Sequence, residues 1–192
     1  MRSIWVSATH SRLGAGYVLK LSKLLLLMIS AVALAETAGS PERYLEVDDY
    51  IANSFPDGRP ETLTLWVAGD LRESLEQTLG HRFAALRTRY WYDGVTSAWV
   101  LDEIGKEMPI TIGVTIRDKN IENVRILEFR ESRGWEVKYP FFTDQFRSVS
   151  LTADGHLSRS IDGITGATLS VGAVKRVAKA ALILHEHIKQ TN

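Results

Sequence analysis

Cysteine is absent from the 192 residues. That excludes a thiolate-bound iron–sulfur cluster, a C-x-x-C-H haem attachment and a disulfide framework, because the ligands for all three are missing. No excess of charge of one sign exists either: 23 Lys and Arg face 23 Asp and Glu. No basic stripe argues for nucleic acid or for an anionic membrane surface. Low-complexity tracts and internal repeats are missing, and the longest apolar run falls short of the roughly 20 residues that cross a hydrocarbon core. What remains, 45% hydrophobic and 24% charged residues in a chain of this length, is the composition of one main globular domain. Any electron chemistry must use an organic cofactor or a metal held by ligands other than thiolates.

The N-terminal residues 1–35 hold four basic residues, Arg2, Arg12, Lys20 and Lys23, and no acidic one. They end in the run Leu24 to Ala35, about 12 residues long, with Ala33-Leu34-Ala35 as a small-x-small cleavage pattern. This segment is expected to be a signal peptide. Its removal leaves 19 basic against 23 acidic residues, a formal charge of −4. The mature chain is then expected to comprise an N-terminal extension with short helices over 36–85 and a main domain over 86–192.

After a linker at Glu36–Pro41, apolar residues Tyr44, Val47, Ile51 and Phe55 recur at helical spacing and stop at Pro56-Asp57-Gly58. Leu63–Val67 fits a strand. Asp70 with Glu73 resembles a capping box opening a helix through Leu71, Leu75 and Leu79 that Gly80 closes. Four strands follow: Arg87–Tyr92 and Val95–Leu101 around Asp93-Gly94, then Pro109–Ile116 and Ile121–Phe129 around a polar turn. Their alternation predicts an antiparallel sheet with one covered face. Leu169–Lys189 carries an apolar stripe of period 3.6 and is expected to cover it. The fold class is α+β, an antiparallel sheet covered by a C-terminal helix and further helices.

The chemistry concentrates in the loop Ser160–Ser170. Gly163 and Gly166 permit sharp turns, Ala167 adds almost no bulk, and Thr168 stands where the last helix begins. A hydroxyl there sits among free helix N–H groups at the positive end of the dipole, a favourable place for a phosphate. The same residues fit an ordinary N-cap at Thr168 or Thr165 after a glycine turn, and spacing alone does not reveal a flavin. The loop is neither a P-loop nor a Rossmann turn.

Asp162-Gly163-Ile164-Thr165-Gly166-Ala167-Thr168 resembles the D-[GS]-x-[ST]-G-A-[ST] flavinylation motif of the FMN-binding domain family, which includes the flavin-bearing subunits of the sodium-pumping NADH:quinone reductase and the Rnf complex. The likeness covers roughly residues 95–190. It implies that Thr168 is joined through its oxygen to the phosphate of FMN by a separate magnesium-dependent flavin transferase, which uses FAD and works outside the cytoplasm. Thr165, Gly166 and Ala167 then shape the attachment loop. Glu131-Ser132-Arg133-Gly134 resembles the family's E-[ST]-x-G segment, with Arg133 where the pump subunits have proline. The likeness implies that Glu131, Ser132 and Gly134 are neighbours of the flavin, while the residues themselves also fit a plain polar turn.

Other polar and aromatic residues carry less. Asp162 suits either positioning during attachment or the turn itself. Among Trp91, Tyr92, Trp99 and Trp135, only Trp135 is expected to stack on a flavin, the others being core residues. His185 and His187, at i and i+2, do not share a helix face, so no metal site is expected, and imidazoles there complement the helix C-terminus. His156 is expected in an exposed turn. The function these observations imply is an electron carrier with covalent FMN, periplasmic or on the outer face of the cytoplasmic membrane, served by a membrane or periplasmic redox partner protein. A small periplasmic flavin-dependent reductase acting directly on a substrate is the alternative, and it requires converging polar groups that the sequence does not reveal.

Overall fold

Residues that alternate branched apolar and polar side chains around tight turns build the centre of the molecule. The structure is a computed structural model and describes residues 42–191; the expected signal peptide 1–35 and the expected linker Glu36–Pro41 lie outside the described residues. The chain runs β1 (Glu42–Arg43), α1 (Val47–Ser54), β2 (Thr62–Trp66), α2 (Gly69–Leu79), β3 (Arg87–Tyr92), β4 (Thr96–Ile104), β5 (Pro109–Arg117) and β6 (Asn120–Phe129). The single turn α3 (Pro140–Thr143) lies between two 3-10 turns, and α4 (Thr168–Thr191) ends the order. The six strands form one sheet in the order β1-β6-β5-β4-β3-β2, every neighbouring pair antiparallel. This is the expected α+β architecture: the strand expected at Leu63–Val67 is β2, and β1 is an addition to the strands expected.

Local chemistry explains the element ends. At the β3–β4 turn Gly94 takes φ 99°, and the Asp93 carboxylate accepts the N–H groups of Val95 and Thr96 at 2.9 and 2.6 Å. Gly80, at φ 78°, closes α2 as expected. The capping box does not form: Ala68 holds the N-cap position with no side-chain bond, and Asp70 lies inside the first turn. There its charge still favours the positive end of the dipole.

The expectation of one covered face is corrected. Helix α4 packs on one face of β4, β5 and β6 and against α2, burying among others Val174, Val177, Ala181, Leu184 and Ile188 over Trp99, Ile112, Val114 and Ile126. Each fully buried branched side chain of this kind contributes roughly 1.5–3 kcal/mol. On the opposite face α1 lays Tyr50, Ile51 and Phe55 against Trp91, Ala98 and Leu127. Gly113 makes this possible, since a Cβ there would stand 2.6 Å from the Tyr50 ring. The Tyr50 hydroxyl meets Thr115 Oγ1 at 2.8 Å, and Ser54 Oγ meets the same oxygen at 2.8 Å. Two irregularities in the β5–β6 ladder allow β6 to serve both faces. They put Ile121, Val124, Ile126 and Phe129 in the α4-side core, while Leu127 turns to α1.

His185 is also corrected. It is not a surface imidazole at the helix end but a buried link. Trp99 Nε1–H donates to Ser97 Oγ at 2.8 Å, Ser97 Oγ and His185 Nδ1 are 2.7 Å apart, and His185 Nε2 meets the carbonyl of Asp118. The Asp118 carbonyl can only accept, so Nε2 carries a proton, and in the neutral ring Nδ1 then accepts from the Ser97 hydroxyl. The link fastens α4 to the β5–β6 turn, where Asp118 takes φ 56°.

Burial lowers the His185 pKa from its ordinary 6.5. A depressed imidazole contributes fully above the unfolded value and loses that contribution as the pH falls below it toward the folded value. His81 acts in the opposite sense, its pKa raised by the Arg82 carbonyl and then by Glu103. The urea midpoint of the wild type should therefore drop between pH 7 and 5 by more than that of His185→Gln. Parallel pH profiles for the two proteins would show that the buried ring is not the titrating link.

Candidate functional site

Between β6 and α4 the chain builds a groove from three separate pieces. The first is the loop ahead of α4. Ile161 and Ala167 are buried and fix its two ends, while Asp162, Gly163, Thr165 and Gly166 face outward. The Ala167 N–H donates to the Ile164 carbonyl at 3.0 Å, closing a four-residue turn, and Gly166 at its third position takes φ 85°. That left-handed value is the one a type II turn demands of glycine. The Asp162 N–H is held by Gln145 Oε1 at 2.7 Å, and Lys175 Nζ donates to the Ile161 carbonyl at 3.2 Å.

Thr168 is the first residue of α4, one position later than an N-cap. The residue that precedes the helix is Ala167, whose carbonyl accepts the N–H of Val171 at 2.9 Å. A methyl group cannot cap, so no side chain from that position competes for the first N–H groups of the helix. The side chain of Thr168 is exposed. Gly163 proves ordinary: nothing lies within 4 Å of a Cβ placed on it, and its φ is not left-handed.

The second piece is Glu131-Ser132-Arg133-Gly134. Gly134, at φ 86°, is pressed on the first turn of α4, where a Cβ would overlap Ser170 Oγ and stand 3.5 Å from the Ala167 methyl. Only glycine meets both conditions. Ser132 and Arg133 are exposed and line the groove.

The third piece, the β4–β5 turn, was not legible as part of the site. Glu131 Oε1 accepts the backbone N–H groups of Lys106, Glu107 at 2.6 Å and Met108 at 2.9 Å. Burial pushes the Glu131 carboxyl up, but these three N–H groups and the Lys106 ammonium outweigh it and leave its pKa below the ordinary value. Glu131 thus holds a wall of the groove. Below the same turn, Glu103 is 2% exposed and accepts Arg176 Nε at 2.8 Å and His81 Nε2 at 2.9 Å. Arg176, on α4, also donates to the Ile104 carbonyl at 3.2 Å. The turn is therefore tied to both β6 and α4.

Together these pieces enclose an open groove of about 610 Å³ lined by Lys106, Glu107, Glu131–Arg133 and Gly166–Ser170. Its size lies within the range of small-molecule and cofactor sites. Lys106 is paired with Glu107 at 2.8 Å, whereas the Arg133 guanidinium meets no carboxylate among the described residues. Thr165 lies on the exposed turn beside the groove. Trp135 is not brought to it; its ring meets Tyr139 edge-on at 5.7 Å, and the Lys138 ammonium lies 5.2 Å from its centroid. Trp91 and Trp99 are core residues, and His156 lies in an exposed turn.

The two glycines of these motif segments should differ sharply on substitution. Gly134→Ala should destabilise the fold by about 2 kcal/mol or more, from the left-handed φ and the overlap with Ser170. Gly163→Ala should stay within about 0.5 kcal/mol. Urea denaturation of the two variants checks this, and equal losses would contradict the packing described.

No curated protein matches the chain at a significant level. Residues 105–183 match the family model described as the FMN-binding domain. That segment begins at the β4–β5 turn, includes the Glu131–Gly134 and Asp162–Thr168 segments, and ends within α4. Over those residues the chain is similar to the FMN-binding domain, which supports flavin binding.

Proposed function

We propose that this protein is an extracytoplasmic electron carrier whose FMN is linked through its phosphate to Thr168 Oγ. The observation that carries the reading is the position of that hydroxyl. It is exposed on the first turn of α4, at the rim of a groove where Glu131–Gly134 and the attachment loop converge. A phosphodiester at this point keeps one negative charge. The free N–H groups of α4 and the Arg133 guanidinium both favour that charge.

The groove's residues divide the work. Gly166 and Gly134 bring backbone close to the attachment point, and Ser132 and Thr165 offer hydroxyls beside it. Glu131 fixes the opposite wall. Bound there, FMN supplies one- and two-electron redox chemistry at a site that the chain itself need not furnish with an acid or base. A covalent ester suits a carrier working outside the cell, where a dissociated flavin would be lost by dilution.

The reading includes export through residues 1–35 to the periplasm or the outer face of the cytoplasmic membrane. It also includes loading from FAD by a flavin transferase and exchange of electrons with a membrane or periplasmic redox protein.

Intact mass of the chain, co-expressed with a flavin transferase and exported, tests the attachment. The wild type and Thr165→Ala should each gain the mass of one FMN phosphoester, and Thr168→Ala should gain none. An unmodified wild type in the presence of active transferase, or a loaded Thr168→Ala, would overturn the assignment.

A further inference from the structure

On the face of the sheet opposite α4, a second open groove of about 670 Å³ lies beside α1 and has no part in the site above. Val47 of α1 and Val100 of β4 give it an apolar side, and Arg87, Arg89 and Trp91 of β3 line it together with Thr64 of β2. Arg87 and Arg89 alternate along one strand. Their side chains therefore leave the same face, with Cα atoms about 6.6 Å apart at a strand's rise of ~3.3 Å per residue. Among the described residues neither guanidinium donates a hydrogen bond or meets a carboxylate. Asp102 also lines the groove; Thr111 Oγ1 donates to its carboxylate at 2.5 Å, and Arg130 lies 4.0 Å from it. Arg59, which lies over the Trp91 ring, is already paired with Asp48 at 2.9 Å.

Two like charges side by side in a concavity repel each other until an anion lies between them. Trp91 gives the groove an aromatic wall, only 4% exposed and packed in the α1-side core. The register places Trp66 of β2 opposite Arg87, with the guanidinium 6.0 Å from the indole centroid. Trp66 is 65% exposed, a flat apolar surface beside Arg87.

We propose that this groove binds an oxyanion carried on a flat ring. Arg87 and Arg89 take the oxyanion, as guanidinium forks do for phosphate and carboxylate alike. Trp66 stacks on the ring. The site is separate from the flavin groove, and its test does not depend on flavin at Thr168.

Calorimetric titration of the exported protein with phenyl phosphate, benzoate and inorganic phosphate tests this. Phenyl phosphate or benzoate should bind saturably at one site, and the tighter of the two identifies the oxyanion. Arg87→Ala with Arg89→Ala should weaken that binding at least 10-fold. Arg133→Ala, in the other groove, should leave it unchanged. Trp66→Ala should weaken the ring-bearing ligand several-fold but not inorganic phosphate. Arg89→Gln alone should weaken binding several-fold and serves as the test if the double variant does not fold. Absence of saturable binding of both ring ligands to the wild type, or binding that the arginine variants leave intact, would overturn the proposal.

Discussion

One oxygen of the Glu131 carboxylate collects three consecutive backbone N–H groups, from Lys106, Glu107 and Met108, and the geometry of the groove between β6 and α4 depends on that cluster. An ionised acceptor forms stronger bonds to N–H groups than a neutral one, which is why a carboxylate rather than an amide suits the position. The turn accommodates it through Gly105, where a Cβ would stand 2.9 Å from the same oxygen and 3.1 Å from Ile110 Cδ1. Glu103, buried below the turn, faces a different demand. A charge so deeply buried requires a partner, and Arg176 provides it from α4 while His81 provides a second contact. Two carboxylates on either side of one hairpin turn thus fix it against the strand and the helix that complete the groove.

The sheet has to hold that turn steady, and it does so by burying one face under α4 and part of the other under α1. The α4 face follows from ordinary alternation. The α1 face follows from a single close approach, Tyr50 over Gly113, reinforced by hydroxyl bonds at Thr115. Residues 42–66 accordingly supply both edge strands and the helix on the second face.

Much of this architecture could be read from alternation and turn residues, and the failures have physical causes. The four central strands and the last helix lie within a few residues of their expected bounds because their periodicity is strong. The second covered face was hidden because β6 changes phase twice: the spacing of Ile121, Val124, Ile126 and Phe129 is not a clean period of two, and a register irregularity absorbs each break. His185 was read only as complementing the helix C-terminus because the helix period alone does not show that Ser97 and Asp118 lie beside it. Lys106 and Glu107 carried no signal at all, since their part in the groove depends on backbone N–H groups that any residue has.

The segments that resemble the flavinylation motif can now be divided by what the fold itself requires. Gly134 and Gly166 are demanded by left-handed backbone, Gly134 also by contact with α4, Ala167 by burial ahead of the helix, and Glu131 by the turn it holds. Each has a sufficient structural cause, so its presence says little about a cofactor. Thr168, Thr165 and Ser132 are different. All three are exposed, and among the described residues none of their side chains makes a hydrogen bond. A hydroxyl with no structural task, placed beside a groove at the start of a long helix, is explained by what it meets there. Any chemistry at this site therefore falls to its exposed hydroxyls, with Thr168 first among them.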